Sequence, residues 1–205
     1  MVLPQRRRIT GIVENEPYYY VDFPEKQVRC IFLMSSHQEN GEQCYGMYKK
    51  QADWLSTDAL QAPDGWKILL FSHVHPGPVG YSKENIEEFV GLLWAFQEKT
   101  RFTSEVFSAD FRNATSAKLA ALFVGHSHVD WVEQPGRLPC PAVMIGSNCV
   151  HMPSAEKGWP MPDGAEVPRR IYGTVTEDLW DVVVVKDDGI HTVRFGAGED
   201  RFIAF

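Results

Sequence analysis

Two histidine pairs carry the chemistry this sequence can offer. His73 and His75 close the apolar run 68–71 just before the break at Pro76-Gly77-Pro78, and His126 and His128 follow the apolar run 119–124 and Gly125. Neutral imidazole is a common side-chain ligand for zinc, manganese and iron, and rings converging from neighbouring strand ends can hold a divalent ion without thiolates. A His-x-His on a continuing strand places both rings on one face, so two such pairs on adjacent strands would meet. A lone histidine at a strand end is more often a loop residue bonded to a carbonyl; the repetition of one plan is what points to a site. Gly125 is read as the residue that lets the backbone turn sharply before His126, and Ser127 as too small to crowd an ion.

The elements that must position these rings follow from periodicity. The stretch "YYYVDF" at 18–23 and the run 28–36 read as a hairpin turning at Pro24-Glu25-Lys26. The segment 49–62 spaces Trp54, Leu55 and Leu60 as a helix and stops at Pro63-Asp64-Gly65. With the strand at 66–72 it completes a βαβ unit, which calls for a parallel pair. An amphipathic helix is predicted over 82–100, capped by Ser82, with Ile86, Phe89, Val90, Leu93 and Phe96 facing inward. Strands at 119–124 and 142–147, a Pro- and Gly-rich loop at 151–170, and a closing hairpin around Asp187-Asp188-Gly189 complete the chain. Both histidine pairs then sit at carboxyl ends of strands, where open α/β sheets bind ligands.

Composition bounds the partners. The 205 residues are 44% hydrophobic and 23% charged, and they read as one domain, 1–205, folded around a core. A formal charge of -7 argues against a nucleic-acid surface, and Arg6, Arg7 and Arg8 form too short a basic run to reverse it. No signal peptide and no run of 18 apolar residues is found, so no membrane segment and a cytoplasmic location are expected. Cys30, Cys44, Cys140 and Cys149 lack CxxC spacing and read as free thiols rather than disulfides or zinc ligands.

"FSH" at 71–73 followed some fifty residues later by "GHSHVD" at 125–130 resembles the last two metal-binding motifs of the calcineurin-like metallophosphoesterases. The stretches "YYYVDFPEKQVRCIFL", "QADWLSTDAL" and "RFGAGEDR" are similar to bacterial and prophage-type members, and the resemblance runs from about residue 16 to the C-terminus. It implies an α/β fold, part of a β-sandwich flanked by helices, with a centre of two divalent ions (Mn, Fe or Zn) acting on a phosphate ester. It also implies that His73 and His126 are ligands of one metal and His128 of the other. His75 has no counterpart in that pattern and is read as a loop residue rather than a neighbour of the ions.

The family's three earlier motifs, Asp-x-His, Gly-Asp-x-x-Asp and Gly-Asn-His-Asp/Glu, do not occur ahead of "YYYVDF". They supply the bridging carboxylate, the Asn and the His that protonates the leaving group, so no catalytic residue is assigned within this sequence. The expected identity is therefore the C-terminal half of a phosphoesterase, inactive alone, with the N-terminal half of the fold missing and an uncovered sheet face inviting homo-oligomers. Two alternatives stay open. One is a non-enzymatic module holding a single ion with His151 or Asp130 as further ligands; the other is a site completed across a homodimer. Met34 stands where the family has a small polar residue and is expected to loosen that contact.

Overall fold

The computed structural model describes residues 11–39, 42–76, 85–146 and 161–205. Strands β1 (Tyr19–Phe23) and β2 (Val28–Phe32) form the expected antiparallel hairpin over a 3-10 turn at Pro24–Lys26, where Gln27 takes a left-handed conformation. The predicted second strand is shorter than 28–36. After Phe32 the chain leaves the sheet and Ser36–Glu39 (β3) pairs instead with Glu42–Tyr45 (β4).

Helix α1 (Lys49–Trp54) continues into a π-type turn, Leu55–Ala59, closed by the Leu60 N–H on the Leu55 carbonyl at 2.9 Å. Strand β5 (Lys67–Phe71) then lies parallel to β2, the βαβ unit that the pattern predicts. Helix α2 (Ile86–Gln97) buries Phe89, Val90, Leu92, Leu93 and Phe96, the stripe that its 3.6 period calls for. The expected cap, Ser82, lies outside the described residues; Asn85 occupies the cap position in a left-handed conformation. Gly91 admits the ring of Phe102, which a Cβ there would meet at 2.4 Å, and so lets the small hairpin β6 (Arg101–Thr103) and β7 (Ser108–Asp110) pack close.

Strand β8 (Lys118–Val124) is buried at every position but the first, as a parallel strand covered on both faces must be. With β9 (Trp131–Glu133) and β10 (Ala142–Met144) it completes a six-stranded sheet, order β1-β2-β5-β8-β10-β9, parallel at its centre and antiparallel at both edges. The predicted strand at 142–147 thus ends at Met144. Strands β11 (Leu179–Val185), β12 (Gly189–Gly196) and β13 (Arg201–Ala204) form a separate antiparallel sheet. The closing hairpin is as the sequence suggests; its third strand is an addition.

These sheets and helices make three layers. One face of the large sheet, through Ile31, Ile68, Leu70 and Leu122, packs on the helices; the other, through Val28, Leu69, Ala121 and Val143, packs on Ile190 and Ile203 of the small sheet. The mixed α/β architecture, with strands stacked on strands and helices outside, matches the expected fold class. Four aromatic rings cross the strands at paired positions: Tyr19, Phe32, Phe71 and Phe123 stack at centroid spacings of 4.8, 4.8 and 5.1 Å.

The small sheet is fastened by buried charge. Arg194 pairs bidentately with Asp181, donates to Asp130 at 2.6 Å and to the Ala197 carbonyl at 2.7 Å, while Arg201 reaches Asp181 at 2.7 Å and the Met144 carbonyl at 3.0 Å. Asp130 and Met144 belong to the large sheet's side, so these bonds join the layers. No helix of the described residues is long and apolar enough to cross a membrane.

Candidate metal centre

Strands β2, β5, β8 and β10 are parallel and therefore end at one edge. The loops after β5 and β8 leave it side by side: the Ser72 N–H bonds the Phe123 carbonyl at 2.9 Å, and the Gly125 N–H bonds the His73 carbonyl at 3.1 Å. The two imidazoles then meet, with His126 Nδ1 3.1 Å from His73 Nε2 and the rings nearly perpendicular at 80°. His73 is exposed and His126 half-buried against the Tyr45 ring at 5.3 Å.

The route to this meeting differs from the expected one. The strand ends at Val124, and the turn is made by His126 (φ +68°) and His128 (φ +59°), both left-handed, whereas Gly125 is not. Alternation along a continuing strand therefore does not place these rings. A non-glycine residue in this region costs of order 1–3 kcal/mol, a strain that concentrates at functional loops.

The loop carrying His73 is anchored from below. Ser35 Oγ accepts from the backbone N–H groups of both His73 (3.1 Å) and Val74 (3.0 Å). Ser35 is placed in turn by its neighbour Met34, whose N–H and carbonyl both bond the buried amide of Gln51 at 2.7 Å. Met34 is thus held by its backbone. Neither Gln51 nor Ser35 carried a signal in the sequence, because their roles lie in contacts 17 and 38 residues away.

Electrostatics favour the neutral form of His126. Burial lowers the His126 pKa, and the neighbouring His73 and His128 lower it further, since a second positive charge beside them is disfavoured. Neutral imidazole is the form with a lone pair to offer. His128, half-buried, is thus within electrostatic reach of the pair.

His75 belongs elsewhere. It is 2% exposed, bonds Glu133 Oε2 on β9 at 2.9 Å and lies 5.5 Å from the Trp131 ring. Burial, with Arg137 nearby, pushes its pKa down to about 4. It is a core residue, neither an open loop position nor a neighbour of the other imidazoles. Asp130, considered as a further ligand, already bonds Arg194 and the Gly146 N–H at 2.8 Å; His151 lies outside the described residues.

Does the donor set fit an ion? Two bonds of ~2.1 Å to one metal separate their donors by about 3.0 Å at a right angle and about 3.4 Å at the tetrahedral angle. The 3.1 Å between His126 and His73 lies in that range. Two donors fit; a full shell does not, because among the described residues no group of three or more His, Cys, Asp or Glu side chains is close enough to hold a metal. Beside His73 an open depression of about 410 Å³ runs over Phe32, Phe71, Phe123 and Ile145, the end of the sheet that the small sheet leaves uncovered.

No protein-family model matches the chain, and no curated protein matches it. Among solved structures it is similar to a dimetal phosphatase from Danio rerio, with 13% identity and a TM-score of 0.52. The likeness covers 92% of this chain but 61% of that one, so this chain spans less than two thirds of its length. At this identity the likeness is one of fold.

Proposed function

We propose that this chain is the C-terminal portion of a metal-dependent phosphoesterase and that it contributes His73, His126 and His128 to a two-metal centre. The observation that carries the reading is the 3.1 Å approach of His73 Nε2 and His126 Nδ1 at the carboxyl edge of the parallel strands. Divalent ions in such a centre, with Mn, Fe or Zn suited to histidine and carboxylate, polarise the phosphoryl group and lower the pKa of a bound water. The part of this chain's own residues is to present imidazoles from two adjacent loops, the one that carries His73 being held by Ser35 and Gln51.

What these residues lack follows from their number. Three imidazoles leave most coordination positions of two ions unfilled, and the bridging carboxylate of the family pattern has no equivalent in this sequence. The reading assigns those positions to the remaining part of the fold, seated over the depression at Phe32, Phe71 and Phe123. Alone, the chain would lack charge stabilisation worth several kcal/mol, each ~1.4 kcal/mol being tenfold in rate.

The test is turnover of p-nitrophenyl phosphate and bis-p-nitrophenyl phosphate with Mn²⁺, by the chain as given and by a version extended upstream, each with and without His128→Ala. Activity in the extended protein alone, removed by His128→Ala, is the expected result. Metal-dependent turnover by the short chain, lost in His128→Ala, would overturn the partial-site reading.

A further inference from the structure

The three-stranded sheet is apolar on its outer face as well as on the inner face that packs through Ile190 and Ile203. An antiparallel sheet with one solvated face normally alternates apolar inward and polar outward. Here the ion network of Asp181, Arg194 and Arg201 lies on the inner side. The outer side carries Trp180, Val182 and Val184 on β11, Val193 and Phe195 on β12, and Phe202 on β13, between 37% and 54% exposed. These residues form one continuous patch. Trp180 pairs with Phe195, their rings stacked at 5.0 Å, and Val182 pairs with Val193 at the next register position on the same face. No Asp, Glu, Lys or Arg points outward from the three strands.

We infer that this outer face is a homodimer interface, against which the same face of a second copy packs. Area favours that occupant. Taking 150–250 Å² for a whole aromatic side chain, the exposed parts of the six residues amount to roughly 500 Å². That lies in the upper half of the roughly 300–600 Å² spanned by the largest patch of a typical monomer. With the polar residues around it, the patch approaches the ~800 Å² per partner of a standard interface. Charge is compatible: each copy carries a formal -7, and packing through a face without Asp, Glu, Lys or Arg sets no carboxylate of one copy against one of the other. A two-fold axis near Val193, on the central strand, would place each copy's face on its twin as two sheets about 10 Å apart. The face lies on the far side of the small sheet from the depression beside His73, so dimer formation leaves that edge open.

Sedimentation equilibrium of the chain at micromolar concentration is expected to give twice the monomer mass of 23.3 kDa, with association tightened by added salt. The double variant Val182→Glu, Val193→Glu is expected to sediment at monomer mass with an unchanged far-ultraviolet spectrum, and Ile12→Ser, an exposed apolar position beside β1, to remain dimeric. A monomeric wild-type chain would overturn the inference, whatever lipid or other protein the face then serves. So would a dimer that survives the outer-face substitutions, or one dissolved by Ile12→Ser. Should the double variant fail to fold, Val193→Cys in the otherwise native chain decides. Mild oxidation is expected to link it covalently to a second copy but not to link Glu25→Cys, and equal or absent linking in both counts against the interface.

Discussion

The amide of Gln51 closes on both peptide groups of Met34, accepting from its N–H and donating to its carbonyl at 2.7 Å each. Through Met34 and Ser35 this one buried side chain determines where His73 sits. Gln51→Leu keeps the volume and removes both bonds. We expect a stability loss of ~2 kcal/mol by urea denaturation, since two peptide groups lose their partners. Binding of Mn²⁺ should weaken in parallel although no ligand has changed. Unaltered Mn²⁺ affinity would show that the loop needs no such support.

Calorimetric titration with Mn²⁺ or Zn²⁺ should reveal weak binding through His73 and His126. Either alanine variant is expected to abolish it, whereas His191→Ala, on the small sheet, should leave it intact. Equal binding by His126→Ala and His191→Ala would remove the site.

Asp181 gives the chain a defined acid limit. Burial alone would raise its pKa, but the bonds from Arg194 and Arg201 outweigh burial and hold it below the ordinary carboxylate value. Its folded-state pKa is depressed, so its contribution is complete above the unfolded value of ~3.9 and is lost as pH falls through the lower folded value. Urea midpoints should therefore drop steeply below about pH 4 in the native chain. Asp181→Asn should flatten that drop while lowering stability at neutral pH by about 3–5 kcal/mol, because Arg194 then loses its main partner.

Thiol chemistry offers an independent check of the core. Burial pushes Cys30 up to about 11 and Cys140 up to about 12, against an ordinary 9.0. Only the thiolate reacts, so at pH 8 alkylation of both should be at least about a hundredfold slower than in the unfolded chain, as site-resolved mass spectrometry would measure. Fast native modification of Cys140 would contradict its burial in the core.

Much of this was written locally. The βαβ unit, the Pro24–Lys26 turn and the inward stripe of α2 each follow from periodicity and turn chemistry within a few residues, and the strand-end histidines announce the edge where they meet. What stayed hidden depends on distant partners or on backbone shape. Left-handed His126 and His128 have no sequence mark, and the adjacent Gly125 drew the attention instead. The Arg194 bonds span 64 residues to Asp130. His75 looked like His73 because a His-x-His does not say which ring turns toward solvent and which toward Glu133. The third small strand, β13, follows a glycine turn that reads equally well as a frayed end.

The stack of Tyr19, Phe32, Phe71 and Phe123 has a consequence for tolerance. Each ring sits opposite the next in register, so the stack works as a gauge block set across four strands: it admits one alignment and no intermediate. His73 lies two residues beyond Phe71, and His126 three beyond Phe123. A slip of β5 against β8 by one residue, about 3.3 Å, would turn every side chain to the opposite face. That error exceeds the whole gap between the two imidazoles. A site assembled from two separate loops inherits its dimensional accuracy from a row of aromatic rings laid across the strands that carry those loops.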